Sequence, residues 1–242
     1  MTAQHPHGVR FDWGIDGMRN LATECPVVVV VDVLSFSTCV DVAIEAGARV
    51  LPLRWHDARG RRAAEEAGAV MAGPRGTAGW SLSPSSLRGL HAGVLLALPS
   101  PNGATLCAEA ADLGATVFTG CLRNTTAIAH SAAHATDGEP IGVVAAGERW
   151  NGGALRPAVE DLLGAGAITA ELRKHAVTCS SEADLAAVTY RAAAHRLGAL
   201  ITDGASGREL SARGFAHDVE LACDTNTSSV APRLRNGVFE EG

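Results

Sequence analysis

The chain has 242 residues, of which 47% are hydrophobic and 19% are charged. This composition provides enough apolar surface for a large buried core, which excludes an intrinsically disordered or fibrous protein. Its 20 Lys and Arg residues against 26 Asp and Glu residues give a net charge of −6, which argues against general nucleic-acid binding, and no apolar run approaches the ~20 residues that a membrane span needs.

The predicted elements begin with the apolar run of residues 26–34. Its five consecutive valines are typical of a strand that is buried on both faces, as in a parallel sheet. Ser35 and the hydroxyl groups after it favour the start of a helix that covers residues 40–46 and ends at Gly47. The alternation continues with a strand over 49–53, a helix over 57–67 and a short strand over 69–72.

A long loop over residues 73–86 interrupts this rhythm, and loops of that length are often functional. It is followed by strands over 94–98, 115–119 and 141–146, with helices over 104–113 and 123–134 between them. A glycine-rich loop over 147–153 leads into a helical stretch over 154–175, in which Gly164 and Gly166 predict a kink or a break. The remaining predicted elements are helices over 182–197, 204–212 and 218–223 and extended stretches over 230–234 and 237–239.

We therefore predict an α/β protein with a mostly parallel sheet, helices on both faces, and a helical C-terminal portion packed back on it. No linker or repeat divides the chain, so we expect residues 1–242 to form one domain, of which 180–242 is the helical portion. The six cysteines include no Cys-x-x-Cys pair and the N-terminus lacks a signal-peptide pattern, so we expect reduced thiols and a cytoplasmic location. A small acidic domain of this kind is commonly a homodimer, but no segment of the sequence identifies an interface.

Asp32 is the first candidate functional residue, because it ends a buried strand at the sheet edge where ligands bind in such folds. The amides and hydroxyl groups of Ser35, Ser37 and Thr38 at the following helix start would suit a phosphate or a sulfonate. A carboxylate beside an anion site is favourable if a divalent cation lies between them. The alternative interpretation is that Asp32 only caps the helix.

Two further stretches are expected at the same edge of the sheet. Asn102 and Gly103 form a strand-to-helix turn whose amides can approach an anion, although an ordinary turn fits this spacing equally well. The loop that begins at Gly147 can wrap a ligand, and it is followed by Glu160 and Asp161. Because neighbouring helical residues point ~100° apart, one of these acids could bind a metal while the other caps the helix or is solvated; on charge alone, solvation is favoured.

Several other kinds of site are excluded. The chain has no Gly-rich phosphate loop ending in Gly-Lys-Ser/Thr and no Gly-x-Ser-x-Gly nucleophile motif. Leu34 stands where haloacid-dehalogenase-type phosphatases carry a second Asp. His130 and His134 share a helical face, but the sequence lacks the glutamate of a His-Glu-x-x-His zinc site, which favours a solvated or supporting pair.

Five segments in a fixed order resemble the 2-phosphosulfolactate phosphatase family, and the resemblance extends over about residues 12–239. They are Val30-Val31-Asp32-Val33-Leu34, Asn102-Gly103, Gly120-Cys-Leu-Arg-Asn124, Ala146-Gly147 and Glu160-Asp161. The tail, with Ser206 to Leu210, Gly214 and Asp218, is similar to the closing helix of that family.

The resemblance implies an α/β fold and Mg²⁺-dependent hydrolysis of (R)-2-phospho-3-sulfolactate, a step of coenzyme M biosynthesis in that family. Members also occur in bacteria where this pathway is not expected, so the family does not determine the substrate. The chain departs from the family pattern at Ser35, where the family has an arginine, and at Pro74, where it has a glutamate. The missing arginine would clamp a phosphate or sulfonate through two hydrogen bonds, and Arg75, Arg123 or Arg149 would have to replace it.

We therefore expect a Mg²⁺-dependent phosphatase that hydrolyses a small phosphorylated hydroxy acid similar to 2-phosphosulfolactate. On this hypothesis, the catalytic and metal-binding residues come from Asp32, Glu160 and Asp161. The residues expected to bind the substrate are Ser35, Ser37, Thr38, Arg75, Asn102, Gly103, Asn124 and Gly147. The alternative is a non-catalytic or substrate-switched paralogue that binds a small phosphorylated or sulfonated acid.

Overall fold

A nine-stranded sheet runs through the centre of the protein in the computed structural model, which describes residues 8–175 and 178–242. Its strands are β1 (Val9–Trp13), β2 (Val27–Val31), β3 (Arg49–Leu53), β4 (Val70–Met71), β5 (Leu95–Pro99), β6 (Thr116–Gly120), β7 (Ile141–Ala145), β10 (Pro232–Arg235) and β11 (Val238–Glu241). A separate small hairpin consists of β8 (Glu148–Arg149) and β9 (Leu155–Arg156).

Helices connect these strands and build the C-terminal portion. Those before β7 are α1 (Gly14–Ala22), α2 (Phe36–Glu45), α3 (Ala58–Glu66), α4 (Gly103–Asp112) and α5 (Thr125–Ala135). Those after it are α6 (Val159–Leu172), α7 (Ser181–Ala193), α8 (Leu197–Asp203), α9 (Ala205–Ala212) and α10 (Ala216–Ala222). None of the helices in the described ranges is long and apolar enough to cross a membrane.

Strand β2 is central to the sheet, and its valines face two different hydrophobic cores. It pairs in parallel with β6 on one side and with β7 on the other. Val29 lies in the core formed with α5, α6 and α7, whereas Val30 lies in the core formed with α1, α2 and α4. Helices therefore cover both faces, and the predicted α/β architecture with a mostly parallel sheet is confirmed.

The C-terminal hairpin β10–β11 is inserted inside the sheet, between β6 and β3. The three successive pairings of β6 with β10, β10 with β11 and β11 with β3 are all antiparallel, so β3, β5 and β4 run opposite to β2 and β6. Helix α4 follows β5, yet it begins beside Asp32, which follows β2: the Gly103 amide donates to Asp32 Oδ2 at 2.9 Å. The sheet therefore curves until these two strand ends meet.

Two parts of the chain differ from the sequence-based expectation. No element is predicted before residue 26, yet β1 pairs with β7 at the edge of the sheet; its pattern is hidden because Arg10 is as buried as its apolar neighbours. The predicted break in α6 is absent, and the helix is continuous through Gly164 and Gly166. A Cβ on Gly166 would lie 2.2 Å from the Ala186 carbonyl oxygen, so this glycine allows α6 to pack closely against α7.

Candidate active site

Asp32 lies where the N-termini of two helices meet. It directly follows β2, and its carboxylate accepts hydrogen bonds from the Phe36 amide of α2 at 3.3 Å and from the Gly103 amide of α4 at 2.9 Å. Its own backbone amide donates to Ser37 Oγ at 2.9 Å. Asp32 therefore caps the following helix, as the alternative interpretation states, and it also holds the start of a second helix.

Only glycine fits at position 103. A Cβ at this residue would lie 2.4 Å from Phe36 Cδ1 and 2.8 Å from Asp32 Oδ2. Both distances are well inside van der Waals contact, so the two helix starts can approach each other only because a side chain is absent here. The Gly103 amide, which the sequence predicts to be available to an anion, is already bonded to Asp32.

Two more carboxylates lie behind Asp32, at the start of α6. Asp161 accepts the Val33 amide at 2.7 Å and the Gly147 amide at 2.8 Å, one on each oxygen, and so ties the ends of β2 and β7 together. Glu160 is 2% exposed, and its Oε2 has no hydrogen-bond partner among the described residues. The solvated alternative, which charge alone favours, is wrong for both acids, because both side chains are buried.

Burial and mutual repulsion raise the pKa values of Asp32 and Asp161. Burial raises the pKa of Asp32 to about 6; the amides of Gly103 and Phe36 oppose this effect and the charge of Glu160 adds to it. Burial, followed by the charges of Asp32 and Glu160, holds the pKa of Asp161 well above its usual range. The ionised cluster therefore requires protons or a cation to balance its charge.

A cleft of about 150 Å³ opens in front of Asp32, and Glu148 forms part of its wall. Glu148 is the first residue of the β8–β9 hairpin and accepts a hydrogen bond from Asn102 Nδ2 at 3.0 Å. Burial, followed by the charge of Asp32, raises the pKa of Glu148 to about 7. Sequence reasoning missed this residue, although it lies in the glycine-rich loop predicted to reach the site.

Arg75 lies beside Ser35 in the wall of the same cleft. Its Nη2 donates to Ser35 Oγ and its Nη1 donates to Asp218 Oδ2, both at 2.9 Å. Asp218 is fully buried and also accepts the Ser83 hydroxyl at 2.8 Å, so Arg75 is held firmly from behind. The loop over residues 73–86 and helix α10 together hold Arg75 against Ser35, the position where the resemblance implies an arginine.

Four of the predicted site residues line this cleft, namely Asp32, Ser35, Arg75 and Asn102. Four others lie behind it, where they hold the strand ends together or add negative charge, namely Gly103, Gly147, Glu160 and Asp161.

The remaining three predicted residues support the backbone around the site. The Ser37 hydroxyl accepts the Asp32 amide, and the Thr38 hydroxyl donates to a backbone carbonyl at 2.7 Å. Asn124 is fully buried and binds two backbone groups through its side-chain amide, so it supports the segment after β6. Arg123 is bound to Asp41 at 2.7 Å and is therefore not the arginine that replaces the missing one.

Strand ends that meet at a buried carboxylate, with an arginine and further acids around a small cleft, define an α/β protein with a charged cleft where β2 ends. The family model for 2-phosphosulpholactate phosphatase matches residues 17–237, and the chain belongs to this family. The resemblance found in the sequence motifs is thereby confirmed, and membership indicates a phosphatase. No curated protein matches the chain.

Proposed function

We propose that the protein is a Mg²⁺-dependent phosphatase that hydrolyses a small phosphorylated hydroxy acid similar to 2-phosphosulfolactate. The observation that carries this proposal is the position of Asp32, which joins two helix N-termini at a cleft that Arg75 also lines. Helix N-termini and arginine both favour a phosphate group, and a carboxylate beside them suits a cation between the two.

The acids behind the cleft support the magnesium part of the proposal. Among the residues that the structure describes, no group of three or more His, Cys, Asp or Glu side chains is arranged to hold a metal ion. Mg²⁺ does not require such a group, since one or two carboxylates, water and a substrate phosphate usually hold it. Asp32 and Glu160 would hold it here, because Asp32 lines the cleft and Glu160 Oε2 is unpartnered among the described residues. Bound Mg²⁺ would neutralise negative charge on the phosphoryl group.

Residues of the cleft wall would bind the phosphate and protonate the leaving group. Arg75 uses two of its five N–H groups on Ser35 and Asp218, which leaves three for phosphate oxygens. The Ser35 hydroxyl accepts from Arg75, so its own hydrogen is available to a phosphate oxygen. Glu148, with a pKa of about 7, would give a proton to the leaving oxygen near neutral pH.

Two routes of attack use this arrangement. In one, Asp32 attacks phosphorus while the amides of Phe36 and Gly103 hold its carboxylate. In the other, Asp32 orients a water molecule that attacks directly. A substrate made chiral at phosphorus separates the routes, because a single displacement inverts the configuration and two successive displacements retain it.

Phosphate release from a panel of phosphorylated hydroxy acids, phosphosulfolactate included, tests the proposal with and without Mg²⁺. We expect Mg²⁺-dependent release by the wild type and a loss of about 100-fold or more in Asp32→Asn, which removes the charge in front of the phosphate. Asp57→Asn, at the exposed cap of α3, is the matched control and should retain activity. Full activity in Asp32→Asn, or no release by folded wild type, would refute the proposal.

The alternative is a paralogue that binds a phosphorylated or sulfonated acid without hydrolysing it. Ser35 favours this alternative, because it stands where the family has an arginine. Calorimetric binding of phosphosulfolactate without phosphate release would establish it.

We further propose a cytoplasmic homodimer. The six free cysteines support the location, since disulfides are rare in the cytosol. Light scattering on the purified protein measures the oligomeric state.

A further inference from the structure

A second compartment, of about 300 Å³, adjoins the cleft in front of Asp32. The two spaces share a wall that consists of Pro101, Asn102 and Glu148. The hydrogen bond from Asn102 to Glu148, at 3.0 Å, belongs to this wall. A phosphate ester bound in the cleft would therefore direct its leaving group past Glu148 toward the second compartment.

Four large apolar side chains line this compartment beside its polar ones, namely Trp13, Ile15, Leu106 and Leu155. Leu155 comes from β9, which brings it over the start of α1 and the end of β7. Two glycines make room for it: a Cβ on Gly14 would lie 3.1 Å from Leu155 Cδ1, and a Cβ on Gly147 would lie 2.7 Å from the same atom. The Leu155 side chain therefore forms an apolar wall of this compartment.

Charges around both spaces do not favour a leaving group with several negative charges. In the cleft, three carboxylates face two arginines, and one of these, Arg213, already lies 3.4 Å from Glu209. In the second compartment, Arg149 faces both Asp16 and Glu148. A leaving group that carries a carboxylate and a sulfonate would meet more acidic than basic side chains there.

We infer that the leaving group of the substrate carries an apolar substituent the size of a ring in place of the sulfonate. This inference rests on the proposed function and specifies its substrate class: a 2-phospho hydroxy acid with an aryl or branched alkyl side chain. A space of about 300 Å³ accommodates a phenyl ring against Trp13 and Leu155. Burial of that ring should raise kcat/KM by about 10- to 100-fold over the same ester without it.

Two esters that differ only in this ring are the probes, namely 2-phospholactate and 2-phospho-3-phenyllactate. We expect the kcat/KM of the wild type to be about 10- to 100-fold higher for the phenyl ester than for 2-phospholactate. Thr105→Phe places a ring in the compartment from α4 and should bring the ratio of kcat/KM values toward one. Ala154→Phe fills the same space from the β8–β9 hairpin and serves if the first variant does not fold. Thr126→Phe, at an exposed position of α5, is the matched control and should leave the ratio unchanged.

The outcomes separate this inference from the proposed function. Equal kcat/KM values for the two esters, faster hydrolysis of phosphosulfolactate than of the phenyl ester, or a ratio that neither filling variant lowers would overturn the inference and leave the phosphatase intact. Failure of folded wild type with Mg²⁺ to hydrolyse any of the three esters would overturn the proposed function, and the inference with it.

Discussion

Replacement of Glu148 by glutamine should stabilise the protein, and by more as the pH rises. Burial raises the pKa of this carboxyl from 4.5 to about 7 in the folded state, so the folded protein retains a proton that the unfolded chain releases. Stability that depends on this proton is fully present below the unfolded pKa and is lost as the pH rises through the folded pKa. Glutamine keeps an acceptor for Asn102, whose Nδ2 lies 3.0 Å from Glu148 Oε2, and carries no charge.

The structure sets the size of the effect. The gap between 4.5 and about 7 corresponds to about 3 kcal/mol of unfolding free energy at pH 8, because one pKa unit is worth ~1.4 kcal/mol. Partial exposure of the side chain screens the charge and brings the expected gain to about 2 kcal/mol. At pH 5 the gain should be below ~1 kcal/mol, because the folded carboxyl is then protonated and only the unfolded one is ionised.

Urea unfolding followed by circular dichroism, at pH 5 and at pH 8, measures this difference. Glu182→Gln removes a carboxylate from an exposed position of α7 and serves as the control, with a change below ~0.5 kcal/mol at both pH values. A Glu148→Gln variant that is less stable than wild type at pH 8, or equally stabilised at both pH values, would refute the reasoning.

Three further predictions concern the cleft. Gly103→Ala should lower the free energy of unfolding by about 2 kcal/mol and the rate of phosphate release by at least ~10-fold, because its Cβ overlaps Phe36 and Asp32. Gly89→Ala is the control, since a Cβ at that position meets nothing within 4 Å. Equal urea midpoints for the two variants would contradict the prediction for Gly103. Arg75→Lys should raise KM by ~10-fold, since lysine cannot hold Ser35 and Asp218 and still present a planar fork to the phosphate; an unchanged KM would place the phosphate elsewhere. Glu148→Gln should lower kcat by about 100-fold and abolish the decline of kcat above pH 7; a pH profile that keeps this decline would exclude Glu148 as the proton donor.

The position of Asp32 could be predicted because it depends on local pattern alone. Five consecutive valines define a strand buried on both faces, and the residue after such a strand must lie at its carboxyl end. The sequence predicts Gly103 at the same edge of the sheet as Asp32, but the hydrogen bond between them could not be predicted, because it depends on the curvature of the sheet. That curvature involves pairings of the C-terminal hairpin, which is remote in sequence from both residues.

Glu148 and Asn124 show the limits of reading single positions. A glutamate in a glycine-rich loop resembles any solvated acid, and only the short β8–β9 hairpin brings it to the cleft wall. Asn124 belongs to a motif shared with the family, but its side chain satisfies two backbone groups instead of facing a ligand. A motif identifies which segments approach a site, whereas the direction of each side chain is set by hydrogen bonds that the sequence does not display.

The insertion of β10 and β11 between β6 and β3 also has a consequence for biosynthesis. These two strands leave the ribosome after every other strand of the sheet, so the nascent chain carries two separate groups of strands with open edges at β6 and β3. Until the hairpin arrives, nothing in the sheet joins the strand that precedes Asp32 to the strand that precedes Gly103. We therefore expect aggregation to be favoured until this hairpin enters the gap, and the cleft to be completed only at that point.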